Sequence, residues 1–213
     1  MPEISIEQGE VTDEGYLPIT ISTRRGRIEC RYCRSKNARS TALFVGGIGG
    51  NFDTPAKGLY PRLCQELISE KISSLRVSFR HPTDLAESVF DLLSGIEFMR
   101  TEGTASAGLV GHSFGGAVVI QAGASSDLVK TVVTLATQGY GADAVSRFRP
   151  DTSILIIHGK KDTVLTPRCS SAAYDMAHEP KQIKLYEGAG HGLDEVAEEV
   201  HGEVLSWILR WLK

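Results

Sequence analysis

From residue 41 to the C-terminus, short apolar runs alternate with stretches that repeat apolar residues at helical spacing. Runs such as TALFVGG and SLRVSF are separated by amphipathic segments such as PRLCQELISEK, and each change of period marks a new element. Strands that are joined through helices need crossover connections, which favour a parallel sheet with helices on both faces. The alternation therefore predicts an α/β fold with a mostly parallel central sheet.

The first forty residues have a different pattern. Three strand-like runs, EISIEQ, LPITIS and RIECRYC, follow one another without a helix between them, and the turn signal Arg25-Gly26 precedes the third. Because strands joined by short turns pair antiparallel, we place them at the N-terminal edge of the sheet. The sequence contains no visible repeat or linker, so we predict one domain over residues 1–213.

A long helix is predicted after Asp84. Asp84 and Glu87 have the spacing of a capping box, in which each residue satisfies a free amide of the first helical turn. The residues that follow place apolar side chains on one helical face, namely Leu85, Val89, Leu92, Leu93, Ile96 and Met99.

Composition limits the classes of function. The chain has 213 residues, 41% of them hydrophobic, and a formal net charge of -3, which supports a sizeable core and argues against a general nucleic-acid binder. No apolar run reaches the roughly 18 residues of a membrane span, and the start, MPEISIEQGE, lacks a secretory signal pattern. Cys30 and Cys33 fall on opposite faces of their strand, so we expect free thiols and a cytoplasmic protein.

The segment from Arg24 to Arg39 is unusually basic, because seven arginines and lysines accompany the single acid Glu29. We interpret these charges as a solvated hairpin edge, where charge discourages pairing with another chain. A contact with an anion or a protein partner is the alternative interpretation.

The run LVGHSFGGAVV places a serine between glycines, after an apolar strand and before a helix of small residues. The pattern G-x-S-x-G is weak by itself, since a chain with 22 glycines contains it by chance about one time in five. The strand-turn-helix setting is what an exposed nucleophile on a sharp turn requires. Side chains at Gly111 and Gly115 would collide with backbone in such a turn. Ser113 is therefore the candidate nucleophile.

A serine hydroxyl needs a neighbouring base, and the base needs a third group to orient it. The strand in ILIIHGKKDTVLTP ends in a loop with Asp162, and LYEGAGHGLDE places His191 between glycines on a loop that we expect to be flexible and exposed. Asp194 is an alternative acid by position, but it fits the N-cap of the last helix better. The order Ser113, Asp162, His191 is typical of one architecture.

From residue 41 onward the chain resembles the α/β-hydrolase family, through GHSFGG, HGKKDTVLTP and EGAGHGL. The resemblance implies the α/β-hydrolase fold, with Ser113 as nucleophile, His191 as general base and then acid, and Asp162 as the group that orients and stabilises the imidazolium. This chemistry requires no metal ion and no organic cofactor.

The resemblance also implies two backbone N–H donors for the oxyanion that develops during acyl transfer. One is the amide of Phe114, the residue after the nucleophile. The other comes from the loop VGGIGGN, where alignment gives Ile48, with its neighbour Gly47 as the alternative. Many relatives have histidine where this chain has Gly46.

Members of the family often carry a lid between the sixth strand and the next helix. Here only about fifteen residues, TQGYGADAVSRFRP, separate two strands at this place, so we predict a lidless serine hydrolase with an open site for a small carboxylic ester. Tyr140 and His81 are candidate substrate contacts. The alternatives are a thioesterase, a peptidase or a perhydrolase with the same triad, and a non-catalytic binding or scaffold protein of the same fold.

Overall fold

The computed structural model describes residues 4–213, so Glu3 of the predicted strand EISIEQ lies outside the described residues. Nine strands form one sheet: β1 Ser5–Gln8, β2 Leu17–Thr23, β3 Gly26–Cys33, β4 Ser40–Val45, β5 Ile72–Val77, β6 Ser106–His112, β7 Val129–Leu135, β8 Ser153–Gly159 and β9 Lys181–Tyr186. The helices are α1 Leu59–Ser69, α2 Leu85–Thr101, α3 Phe114–Ser125, α4 Arg168–Met176 and α5 Ala197–Leu212. Two 3-10 turns, Ala142–Arg147 and Asp194–Val196, complete the elements.

The strand order is β1-β2-β3-β5-β4-β6-β7-β8-β9. The pairs β1–β2, β2–β3 and β3–β5 are antiparallel, and all pairs from β5 to β9 are parallel. The predicted α/β class and the antiparallel N-terminal edge are both confirmed.

The register of the parallel strands aligns their carboxyl ends. Val45 pairs with Gly111, and Leu135 pairs with both His112 and Ile157. The loops after β4, β6, β7 and β8 therefore leave the sheet at one edge, which is where open α/β sheets carry their sites.

Two hydrophobic layers cover the sheet. Side chains of α2, α3 and α4 pack on one face, and those of α1 and α5 pack on the other. Alternate strand residues serve the two layers, as Leu109 and Val110 do on β6. Cys30 and Cys33 lie in different layers, as the strand pattern predicts. Over residues 4–213, the helices lack the combined length and apolarity that crossing a membrane demands.

Helix α2 begins after Asp84, as predicted, but only half of the expected capping box forms. The side chain of Asp84 accepts a hydrogen bond from the amide of Glu87 at 3.0 Å, which satisfies one of the free donors of the first turn. The Glu87 side chain does not return to the Asp84 amide, which donates to the His81 carbonyl instead; Glu87 pairs with Arg80 and Arg25.

The basic segment is not an edge, because β3 lies between β2 and β5. Four of its arginines form ion pairs with acids from other parts of the chain, namely Arg25 with Glu87, Arg27 with Glu7, Arg31 with Glu14 and Arg34 with Glu102. The prediction of a hairpin edge is wrong, and much of the positive charge is balanced within the molecule.

Candidate active site

Ser113 lies between β6 and α3, with φ 57° and ψ -118°. A positive φ is unfavourable for a residue with a side chain, and it persists only where the surroundings hold it. The amide of Ser113 donates to the Leu135 carbonyl at 2.8 Å, and the Gln138 amide donates to the Ser113 carbonyl at 3.2 Å. Strand β7 and the loop after it therefore hold the strained turn.

The two flanking glycines leave no space for a side chain. A Cβ atom on Gly111 would lie 2.2 Å from the Gly115 carbonyl oxygen, and one on Gly115 would lie 2.2 Å from the Gly46 carbonyl oxygen. These distances confirm the reason for glycine at both positions. They also show that the loop after β4 packs directly against the turn.

The structure brings together the three side chains that the sequence proposes as a triad. His191 Nε2 lies 3.0 Å from Ser113 Oγ, and His191 Nδ1 lies 2.7 Å from Asp162 Oδ2. With Nδ1 donating to the carboxylate, Nε2 is free to accept the serine proton. The geometry permits Ser113 to act as nucleophile and His191 as its base.

The Asp162 carboxylate is fully buried and accepts several hydrogen bonds. Its Oδ1 atom accepts the amides of Val164 and Leu165, each at 2.8 Å. Burial raises the pKa of this carboxyl, but the hydrogen bonds from His191 and the two amides outweigh it, so the pKa lies below the ordinary value. The alternative acid Asp194 instead accepts the Lys57 amide at 2.9 Å. Asp194 begins the 3-10 turn before α5 and Val196 occupies the N-cap of that helix, so the N-cap prediction for Asp194 is wrong.

The loop that carries His191 is anchored at three carbonyl groups. The Ala189, His191 and Gly192 carbonyls accept hydrogen bonds from the Lys161 amide, His112 Nε2 and the Ala56 amide, at 2.9, 3.0 and 2.7 Å. The His191 side chain is only 20% exposed. The expected exposure of His191 is therefore wrong, because its side chain is largely buried and backbone amides from two other loops bind the carbonyls of its loop.

Two buried histidines beside the triad escaped the sequence reasoning. His112 donates through Nε2 to the His191 carbonyl, and the two rings lie 4.8 Å apart. His158 lies at the end of β8, with Nε2 3.0 Å from Asp162 Oδ2. Burial lowers the pKa of both histidines, which keeps them neutral. Their only sequence signal is position, since each ends an apolar strand next to a motif.

The two proposed oxyanion loops meet at Ser113. Phe114 begins α3, whose amino end points its free amides and its positive dipole at this position. A Cβ atom on Gly47 would lie 3.3 Å from the Ser113 Cβ and 3.7 Å from its Oγ. The next residue, Ile48, exposes its side chain to solvent. The loop after β4 is thus close enough to contribute a backbone donor.

The structure separates the two candidate substrate contacts. Tyr140 is highly exposed, and its carbonyl accepts from the side chain of Gln138, whose amide binds Ser113. His81 is exposed on the loop after β5, where its carbonyl accepts from Ser88 and the Asp84 amide. Within residues 4–213, no hydrogen bond joins His81 to the triad.

Solved structures of low sequence identity share the whole fold. Est1E from Butyrivibrio proteoclasticus has 16% identity and a TM-score of 0.78, over 91% of this chain and 98% of its own. A dienelactone hydrolase from Anabaena variabilis has 14% identity and a TM-score of 0.76, over 100% and 99%. XC6422 from Xanthomonas campestris, a serine hydrolase without a lid, has 18% identity and a TM-score of 0.76, over 96% and 98%. At such identities the likeness shows the fold alone.

The sequence comparison is more specific. No curated protein matches the chain, but the model of the dienelactone hydrolase family matches residues 61–204, about two thirds of its length. The matched range includes Ser113, Asp162 and His191. The chain is therefore an α/β-fold hydrolase of the serine type that belongs to the dienelactone hydrolase family.

Proposed function

We propose that this chain hydrolyses small carboxylic esters through an acyl-enzyme on Ser113. The observation that carries the proposal is the unbroken contact from Ser113 Oγ through the His191 ring to Asp162, with distances of 3.0 and 2.7 Å. Such a chain of contacts is the arrangement that activates a serine hydroxyl near neutral pH.

In the proposed reaction, His191 Nε2 takes the proton of the Ser113 hydroxyl while Oγ attacks the ester carbonyl carbon. The resulting oxyanion is stabilised by the Phe114 amide and by the Ile48 amide, or that of Gly47. The C–O bond to the alcohol then breaks, and His191 returns the proton to the departing oxygen. Water attacks the acyl-enzyme by the same route and releases the acid. Asp162 stays ionised and balances the imidazolium throughout.

An open site supports small or partly exposed substrates. The segment 136–152 between β7 and β8 contains only the 3-10 turn Ala142–Arg147, so we propose a single domain without a lid. We propose that three exposed apolar side chains on the loops after β4, β7 and β8 lie beside the substrate, and we term them the apolar rim. Its members are Ile48, Tyr140 and Val164, which are 63%, 79% and 67% exposed.

The apolar rim supports a substrate with an apolar group beside the ester. Ile48 adjoins Gly47, Tyr140 contacts Gln138, and the Val164 amide binds Asp162. In each case the backbone of the rim residue, or a residue next to it, contacts a residue of the site. Burying these side chains against an acyl or alcohol group removes apolar surface from water and favours binding. We assign Tyr140 this role and keep His81 as a weaker candidate.

Two further proposals concern the location of the protein and the basic segment. We propose a cytoplasmic location, which the four free cysteines support. An anion or partner contact at the segment from Arg24 to Arg39 stays a prediction, because four of its arginines already pair with acids.

Labelling with a fluorophosphonate, which reacts with activated serines, tests the proposal. We expect the wild type to be labelled, and both Ser113→Ala and His191→Ala to lose at least about a thousandfold in ester turnover. The exposed Ser125 at the end of α3 supplies the control, since Ser125→Ala should keep full activity. Folded wild-type protein that takes no label would favour the non-catalytic alternative. A screen of esters, thioesters and amides then distinguishes the competing activities.

A further inference from the structure

We infer that His158 is a positioning residue for the proposed reaction, acting on the triad through Asp162. The inference rests on the proposed function. His158 is fully buried at the end of β8 and contacts three polar groups, although no substrate can reach it. A buried imidazole with this many partners is costly to keep unless its contacts matter, because burial of a polar ring must be repaid by hydrogen bonds.

The partners determine which nitrogen carries the proton. His158 Nε2 lies 3.1 Å from the Leu165 carbonyl, which can only accept, so Nε2 donates. His158 Nδ1 lies 2.7 Å from the Ser170 hydroxyl, which therefore donates to the ring from α4. Burial lowers the pKa of His158 and so favours this neutral form. The Leu165 carbonyl thus selects the tautomer that directs an N–H toward the Asp162 loop, and the Ser170 hydroxyl satisfies the other nitrogen.

The nitrogen that donates to Leu165 also lies beside the carboxylate. Nε2 of His158 lies 3.0 Å from Asp162 Oδ2, the oxygen that also accepts from His191. One imidazole thus supports the Asp162 loop through its hydrogen bond to the Leu165 carbonyl, and it also holds the nitrogen that carries the proton close to the shared carboxylate oxygen. Its effect is to orient the carboxylate and to spread the negative charge that His191 experiences.

Two titratable groups of the triad act on the His158 ring. They are Asp162 on the loop after β8 and His191 on the loop after β9. Helix α4 contributes the uncharged Ser170. Removing the N–H of His158 would leave more negative charge on Asp162 Oδ2 and favour the protonated form of the active-site base. The acidic limb of the pH profile would then move to higher pH.

A matched pair of variants tests this. His158→Gln and His158→Leu both lose the Ser170 contact and have similar volumes, but only glutamine can place an N–H near the position of Nε2. In His158→Leu we expect kcat/KM to fall about tenfold or more. We also expect the acidic limb of the pH profile of kcat/KM to move to higher pH, by about half a pH unit or more. His158→Gln should restore most of both. Active-site titration with the fluorophosphonate normalises every value to competent sites.

The outcomes separate the inference from the proposed function. A wild type without Ser113-dependent turnover would contradict the proposed function. Two outcomes with an active wild type would overturn the inference alone. In one, the acidic limb of the pH profile stays at the same pH in folded His158→Leu. In the other, His158→Gln has the same pH profile as His158→Leu. If His158→Leu does not fold, His158→Asn replaces it, because its shorter amide stops short of Asp162. Equal limbs for asparagine and glutamine would then overturn the inference.

Discussion

His191 Nε2 lies 3.0 Å from Ser113 Oγ across a separation of 78 residues in the sequence. Strands β7 and β8 lie between β6, which precedes Ser113, and β9, which precedes the histidine loop. The loop must therefore reach back over two strand ends. The hydrogen bonds to its carbonyls from His112, Lys161 and Ala56 hold it there. The short distance between His191 and Ser113 therefore depends on these hydrogen bonds as well as on the two residues themselves.

An alanine in the strained turn that carries Ser113 should destabilise the protein. Because a Cβ on Gly115 would lie 2.2 Å from the Gly46 carbonyl oxygen, Gly115→Ala should lower the free energy of unfolding by about 3 kcal/mol or more. Gly202 in the exposed face of α5 is the control, since a Cβ there meets nothing within 4 Å. Gly202→Ala should raise the free energy of unfolding by about 1 kcal/mol. Urea denaturation measures both free energies of unfolding. If the two variants were equally stable, the close approach of Gly115 to the Gly46 carbonyl would be contradicted.

Removing the charge of Asp162 should affect both rate and acid stability. Asp162→Asn should lower kcat about ten-thousandfold, because an amide cannot balance the imidazolium. The folded pKa of Asp162 lies below its ordinary 3.8, so its ionised form stabilises the protein at neutral pH. That contribution disappears as the pH falls through the folded pKa.

Thermal melting at several pH values checks the second effect. The melting temperature of the wild type should exceed that of Asp162→Asn at pH about 7, and the difference should shrink toward pH about 3. A difference that stays constant over this range would show that the Asp162 carboxylate does not gain its hydrogen bonds on folding.

A proline at position 48 tests the second oxyanion donor. Ile48→Pro removes the backbone N–H, whereas Ile48→Ala keeps it and removes most of the side chain. If Ile48 is the donor, the proline variant should lose about 3 kcal/mol of transition-state stabilisation, or roughly a hundredfold in kcat. The alanine variant should lose far less on an acetate ester. Full activity in both variants would transfer the role to Gly47.

The apolar rim should affect substrate preference more than catalysis. Ile48→Ser and Val164→Ser should each lower kcat/KM for hexanoate esters about three- to tenfold and leave acetate esters nearly unchanged, because the longer chain loses an apolar contact. Val11, 66% exposed on the loop between β1 and β2, supplies the control Val11→Ser. Steady-state kinetics on an acyl-chain series measures the ratio, and a strong wild-type preference for long chains would contradict the open, lidless site.

The order and type of the helices and strands could be predicted from local sequence patterns. Strand alternation and helical spacing are local properties, and the capping of α2 by Asp84 depends on residues within one turn. The turn that carries Ser113 could also be predicted, because glycine at positions 111 and 115 is required by contacts within a few residues and with one neighbouring loop.

Contacts between distant parts of the chain could not be predicted in this way, because they depend on the order of the strands in the sheet. The fold places β3 between two strands and pairs the basic segment with acids from elsewhere in the chain. It also places His158 against the Asp162 carboxylate. Contacts of this kind depend on strand order and loop anchoring, which join residues far apart in the chain and leave no period in the sequence.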